Sequence, residues 1–416
     1  MRYSLLVMFL GFLSNLGQAQ QAPGSPYTYF GVGDINNKGL SQQLITGGTG
    51  IANRSGYTIN NLNPASYSAI GYPYSFLSEF GLSLSFAQRD DGDDSGFQLG
   101  LDFPYLAMAF KTGDRSGASF GLRQYSNVEY FIFGRDDFNG IPGTYNILYE
   151  GLGGLNEAYF GYGRNISSRL SVGAHFSYIF GSINNNQQIN SFDRNFNLQI
   201  EDQNYLNTVK LDLGFQYMIP MNRSNLTIGA TYDLKSDLSS SRELFITETA
   251  PGTSISVDSI ALETIDSDEY LLPHAFGIGF NLNHRDKIQI NMDFKTHLWS
   301  ESSLSGDDYE LRDSRRLSLG FEKLPNYKNE TYFSRVSYGF GFFGEQSYLL
   351  LDGEGLDNAG FTAGLSLPLG SSGVFRIIGE RASRGNGLTE FFSESYTKLT
   401  LSLTFIDFWF RKRKYN

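Results

Sequence analysis

One pattern constrains this chain more than any other: apolar and polar residues alternate with period two, stretch after stretch, over most of its length. Leu170, Val172, Ala174, Phe176, Tyr178 and Phe180 alternate with Ser171, Gly173, His175 and Ser177. Leu211, Leu213, Phe215 and Tyr217 alternate with Asp212, Gly214 and Gln216. Phe276, Ile278, Phe280 and Leu282 repeat the pattern, as do Ile288, Ile290, Met292 and Phe294, and again Leu399, Leu401, Leu403 and Phe405. Side chains of a strand point to opposite faces in turn, so each stretch reads as a strand with one greasy and one polar face. A soluble β-sandwich and a membrane β-barrel both satisfy that pattern.

Loop lengths separate the two. Short polar turns at 113–117, 165–169, 220–224, 283–286, 325–330 and 370–373 alternate with longer polar excursions at 89–96, 135–143, 182–207, 235–254, 299–313, 346–358 and 382–393. Outer-membrane barrels have short periplasmic turns, long extracellular loops and an even number of strands. A sandwich has no reason to segregate its loops this way. The expectation is an all-β transmembrane antiparallel barrel of about fourteen strands over 73–410, with both ends periplasmic. Composition agrees: 26 Tyr and 35 Phe coexist with a slightly negative mean hydropathy, as in a barrel with aromatic bands outside and a polar lumen. Phe405-Ile406-Asp407-Phe408-Trp409-Phe410 closes the last strand with girdle aromatics, and Arg411-Lys412-Arg413-Lys414 reads as a basic periplasmic tail over 411–416.

The first residues point to export. Arg2 precedes an apolar run from Leu5 to Leu16, and Gly17-Gln18-Ala19 supplies the small residues of a cleavage site, so 1–19 reads as a signal peptide and the outer membrane as the destination. With no Cys, a lipid-anchored lipoprotein, disulfides and thiolate metal sites are excluded. A net charge of −11 argues against nucleic acid as a partner.

Residues 20–72 lose the alternation, and Gly47, Gly48 and Gly50 lie in a Gly-rich stretch suited to tight turns in a confined lumen. Asn63-Pro64-Ala65 sits just ahead of the first strand, where Pro64 fixes φ and Asn63 can bond neighbouring backbone. By itself that tripeptide is a turn. Gly47-Gly48-Thr49-Gly50-Ile51-Ala52 followed by Asn63-Pro64-Ala65-Ser66-Tyr67 resembles the hatch of the FadL-type long-chain fatty-acid and aromatic-hydrocarbon transporters. The resemblance implies a fourteen-stranded barrel with an N-terminal plug. It also implies hydrophobic ligands entering from the long loops and leaving past a moving hatch or through the wall. Gly47, Gly48, Gly50, Asn63, Pro64 and Ala65 would then set the hatch. Two departures stand out: Tyr57-Thr58 occupies the place of a common acidic residue, and the segment from Gln20 to Leu44 is longer than usual.

Chemistry of other kinds is scarce. His175, His274, His284 and His297 share no ligand spacing, no nucleophile elbow or phosphate loop occurs, and no catalytic residue, metal or cofactor is expected. The acidic run Asp90-Asp91-Gly92-Asp93-Asp94 reads as a solvated loop. The informative charges are Arg123, Asp212, Asp233, Asp293, Lys295, Glu322 and Arg335, which with His175 fall on the polar phase of the alternation. A charge on the lipid face would cost roughly 2–4 kcal/mol at the midplane, so these are expected to line the lumen or pair with the plug. The function expected is a channel for uptake of hydrophobic small molecules, gated by the N-terminal hatch, with membrane lipid and lipopolysaccharide as its surroundings. The alternative is a non-transporting barrel subunit of a larger outer-membrane protein secretion or insertion complex.

Overall fold

A computed structural model describes residues 24–36, 39–71, 76–90, 95–137, 144–191, 197–249, 256–302, 309–326, 329, 331–351, 353–370, 372–385 and 393–407. The expected signal segment, the acidic residues 91–94, the closing aromatics from Phe408 and the basic tail lie outside these described residues. Fourteen antiparallel strands close into one barrel, as the alternation and loop lengths predict. They are β1 (Phe76–Asp90), β2 (Ser95–Asp102 and Tyr105–Gly113), β3 (Ser116–Gln124 and Ser126–Asp137), β4 (Thr144–Asn165), β5 (Leu170–Ser191), β6 (Asn197–Pro220) and β7 (Ser224–Asp233 and Ser236–Thr249). There follow β8 (Ser256–Leu272 and Ala275–His284), β9 (Ile288–His297), β10 (Ser314–Lys323), β11 (Ser337–Gln346), β12 (Asn358–Pro368), β13 (Gly373–Arg384) and β14 (Ser393–Asp407). β1 pairs with β14 from Phe76–Asp407 to Asp90–Ser393, joining the two ends of the sheet.

The alternation sorts faces as expected. Phe120, Phe160, Phe176, Leu211, Phe215, Phe280, Met292 and Phe361 are exposed on the outside, while Ser119, His175, Asp212, Asn281, Asp293 and Thr362 beside them are buried. In water that belt would be an aggregation surface; in lipid it is the favourable one.

The barrel is taller on one side. β4 and β5 have 22 residues each and β6 has 24, whereas β9, β10 and β11 have 10 each. A tilted strand crosses the hydrocarbon in roughly 9–11 residues. The long-loop halves of β3 to β8 therefore rise beyond it as one continuous sheet. This corrects the expected excursions 182–207 and 235–254, which are mostly strand. Asn184, Asn185, Asn186, Gln187 and Gln188 pair in register with β4 and β6 although both of their faces are polar. Above the lipid both faces can be wet, so alternation fades while pairing continues. On this sheet Arg242 grips both carboxylate oxygens of Asp202 at 2.8 Å, which holds the guanidinium above its ordinary pKa.

A second correction concerns the expected turn 325–330. The connection there carries a short helix, α2 (Tyr332–Arg335), so Arg335 sits at the rim and not on a wall strand. Lys323 Nζ donates to the carbonyls of Ser334 and Val336, which folds the connection back on the end of β10.

A seam runs between β2 and β3. Their short-turn halves pair from Tyr105–Arg123 to Gly113–Ser116. Beyond the bond from Gln124 N–H to the Pro104 carbonyl they part. Ser95–Asp102 pairs with β1, and Ser126–Asp137 pairs with β4. The causes are local. Pro104 removes a donor and restricts Phe103. Between the Gln124–Asn156 and Val128–Gly153 pairs, β3 advances one residue more than β4, a bulge that bends it away.

The chain's own N-terminal residues cover this seam from inside. Asp34 and Ile35 pair with Asn127 and Ser126, and Thr28 Oγ1 both donates to the Glu129 carbonyl at 3.0 Å and accepts from its N–H at 3.1 Å. Gly33 has a φ of 82°, and a Cβ there would meet the Asn127 carbonyl oxygen at 2.3 Å, so this strap fits only as glycine at that point.

Candidate functional site

Residues 39–71 lie within the barrel, almost all of them buried or half-buried. Their regular pieces are α1 (Ser41–Ile45) and the 3-10 helix Pro64–Ala69. Gly47 and Gly48 turn the chain after α1 with φ values of 73° and 85°. Asn63 caps the 3-10 helix by accepting from Ala65 N–H at 3.0 Å, with Pro64 at the first helical position. Its amide nitrogen also donates to the Ile51 carbonyl at 2.7 Å and to the wall carbonyls of Phe215 at 3.1 Å and Ala230 at 3.3 Å. One carboxamide thus ties the plug's own turn to β6 and β7.

Glycines in the wall let the plug lie flush. A Cβ at Gly173 would meet the Pro64 carbonyl carbon at 2.4 Å, one at Gly229 the Ile51 oxygen at 2.2 Å, and one at Gly341 the Gly47 nitrogen at 2.2 Å. The plug glycines were legible as turn formers, whereas these wall glycines had the ordinary look of a polar strand face.

Polar bonds fix the plug around the circumference. Asp293 on β9 accepts from the N–H groups of Gly50 at 2.6 Å and Ile51 at 2.8 Å. Arg316 on β10 donates to the Gly47 carbonyl at 3.1 Å, and Thr362 on β12 accepts from Gly47 N–H at 3.0 Å and donates to the Ile45 carbonyl at 2.9 Å. Glu79 on β1 accepts from the Ser41 hydroxyl at 2.6 Å, and Gln216 on β6 donates to the carbonyls of Ile51 at 3.0 Å and Asn53 at 3.2 Å. Tyr67 hydroxyl meets His175 Nε2 at 2.7 Å. Hydrogen bonds to charged groups contribute roughly 1.5–3 kcal/mol each, so several in concert hold the plug firmly.

Above the plug lies a charged chamber. Arg123 contacts Glu157 at 2.5 Å, Lys210 contacts Asp212 at 2.6 Å and Asp233 at 3.4 Å, and Lys295 contacts Asp233 at 2.9 Å. Three cations and three carboxylates with His175 surround a cavity of about 40 Å³, enough for a few waters. Towards the strap a second cavity of about 200 Å³ is bordered by Asp34, Asp102, Glu129, Glu345, Glu380 and Glu394. Higher still, the lumen is filled by an apolar cap: Tyr27 and Val32 of the strap, Leu155, Ile179, Ile183, Leu206, Leu238 and Leu272 of the tall strands, and Trp299, Tyr348 and Leu349.

The structure therefore brings Arg123, His175, Asp212, Asp233 and Lys295 together in one chamber and sets Asp293 against the plug. Glu322 is buried on the lumen face and accepts from the Ser337 hydroxyl at 3.0 Å. Glu322 and Arg335 both border a cavity of about 410 Å³ under the plug, at the short-turn mouth. Glu79, Glu157 and Lys210 were missed although they keep the inward phase of their strands; counting that phase past the first apolar residues would have found them. Among the described residues no group of acidic residues and histidines has a metal-holding arrangement.

Solved structures share this fold. The chain matches a CymD monoaromatic hydrocarbon channel with a TM-score of 0.61 and 14% identity, over 91% of this chain and 99% of that one. A Pseudomonas aeruginosa FadL homologue matches with a TM-score of 0.60 and 10% identity, over 90% and 99% of the two chains. The P. putida toluene transporter TodX matches with a TM-score of 0.57 and 16% identity, over 91% and 100%. At such identities the likeness is one of architecture, which is as far as the resemblance read from 47–67 extends. No curated protein matches the chain. A family model described as BamG, a name different from those of the channels, matches residues 1–416, and the chain belongs to the BamG family.

Proposed function

We propose that this protein is a plugged, non-conducting outer-membrane barrel serving as a subunit of a larger protein secretion or insertion complex. The short-turn end faces the periplasm and the tall sheet faces outward. The observation that carries this reading is the filling of the lumen: an anchored plug, a charged chamber and an apolar cap made of the protein's own side chains. A pocket that desolvates a greasy solute needs apolar walls and free volume. Here much of the apolar interior is occupied by side chains, and the cavity of about 200 Å³ carries six carboxylates with Arg384 and Lys398 among its apolar lining. Membership of a family named apart from the hydrocarbon channels supports the same choice.

A specific observation favours the second reading, uptake of hydrophobic small molecules gated by the N-terminal residues. The seam between β2 and β3 offers a lateral route to lipid, covered among the described residues by the strap. Two measurements separate the readings. Purification from native membranes in mild detergent is expected to yield a stoichiometric large assembly, and a strain lacking the protein is expected to take up labelled fatty acid and toluene at the normal rate. A lone barrel carrying co-purified lipid, with uptake lost in the deletion strain, would overturn the subunit reading.

A further inference from the structure

The chain carries a net charge of −11, yet its short-turn rim runs against that trend. The short-turn end exposes Arg115, Arg169, Arg223, Arg285 and Lys287 against the acidic Asp114, Asp286 and Asp407. Within this rim opens the cavity of about 410 Å³ beneath the plug. Arg54 lines it, held by the neutral oxygens of Ser171 at 2.8 Å, Asn165 at 2.8 Å and Ser68 at 3.4 Å, and no carboxylate pairs with it among the described residues.

A guanidinium satisfied only by neutral groups keeps its attraction for an anion. The vestibule thus presents the half-buried Arg54 guanidinium to a carboxylate, beside an arc of exposed cations on four consecutive turns that attracts negative chains from a distance. Resting on the subunit reading, we propose that the short-turn mouth docks an acidic, extended segment of a periplasmic partner protein, with Arg54 taking one of its carboxylates and the turn cations taking others.

The test uses the full-length protein in phosphatidylcholine nanodiscs and a fluorescent, N-acetylated octaglutamate peptide followed by anisotropy. Binding is expected, weakening as salt rises, while octalysine of the same length does not compete for the site. Arg54→Gln is expected to weaken octaglutamate binding about tenfold. Arg285→Gln combined with Lys287→Gln should weaken it several-fold without touching the plug, and Arg242→Gln on the far sheet should leave it unchanged. Each variant is checked for heat-shifted gel mobility, the sign of an intact barrel. Absence of octaglutamate binding to the wild-type protein, or equal binding by both cation variants, overturns the proposal. So does displacement of the peptide by a soluble short-chain phosphatidylglycerol at concentrations where sodium chloride of equal ionic strength has no effect, because the rim would then be a lipid-headgroup contact. If the large assembly persists while the peptide fails to bind, the docking proposal alone falls; a lone barrel that still binds the peptide overturns only the subunit reading.

Discussion

Asp293 shows how much one side chain does in this lumen. A single carboxylate oxygen receives two plug N–H groups, and both would be left without an acceptor in Asp293→Ala. Losing two charge-assisted bonds of roughly 1.5–3 kcal/mol each should loosen the plug. Single-channel recordings of that variant are expected to show open events absent from the wild-type protein, with heat-shifted mobility retained. Silent recordings would show that the plug is held without Asp293. This residue was legible because Met292 and Phe294 flank it with opposite phase. Arg376 was not: Val374, Arg376 and Ile378 all face inward, with Phe375 and Ile377 outward, so apolar residues on both faces erase the alternation. Inward apolar residues there serve the plug, whose own sequence gives no sign of which strands it touches.

The strap and the seam belong to the scale of elements. Gly33→Val would force a branched side chain into left-handed backbone and against the Asn127 carbonyl. Hydrogen exchange is expected to quicken at Ser126, Asn127 and Glu129 and to stay slow where β5 pairs with β6 short of the tall sheet. Unchanged exchange at those three amides would mean that the strap does not depend on its glycine. The strand count was readable because the lipid belt enforces a phase on every crossing. The tall sheet was not, because its strands leave the lipid and nothing there penalises Asn on either face. The seam was unreadable too, since a Pro within a strand signals weak pairing without saying which neighbour departs.

At the scale of the whole molecule, the exposed apolar belt is what commits the fold to a bilayer. Phe280→Arg would set a charge among lipid chains at a cost of roughly 2–4 kcal/mol if it lies near the midplane. Urea-folding titrations into lipid vesicles should register that loss, whereas Asn281→Ala on the lumen side should alter it little. Equal midpoints for the two variants would mean that the belt does not face lipid. The seam carries a mechanical consequence as well. A tube slit along half its length resists twisting far less than an intact one, so shear applied to the tall sheet by an attached partner would be absorbed as torsion at the slit end. The short-turn ring, paired all the way round, would stay stiff, and the N-terminal strap would act as the clasp that sets how far the slit yields.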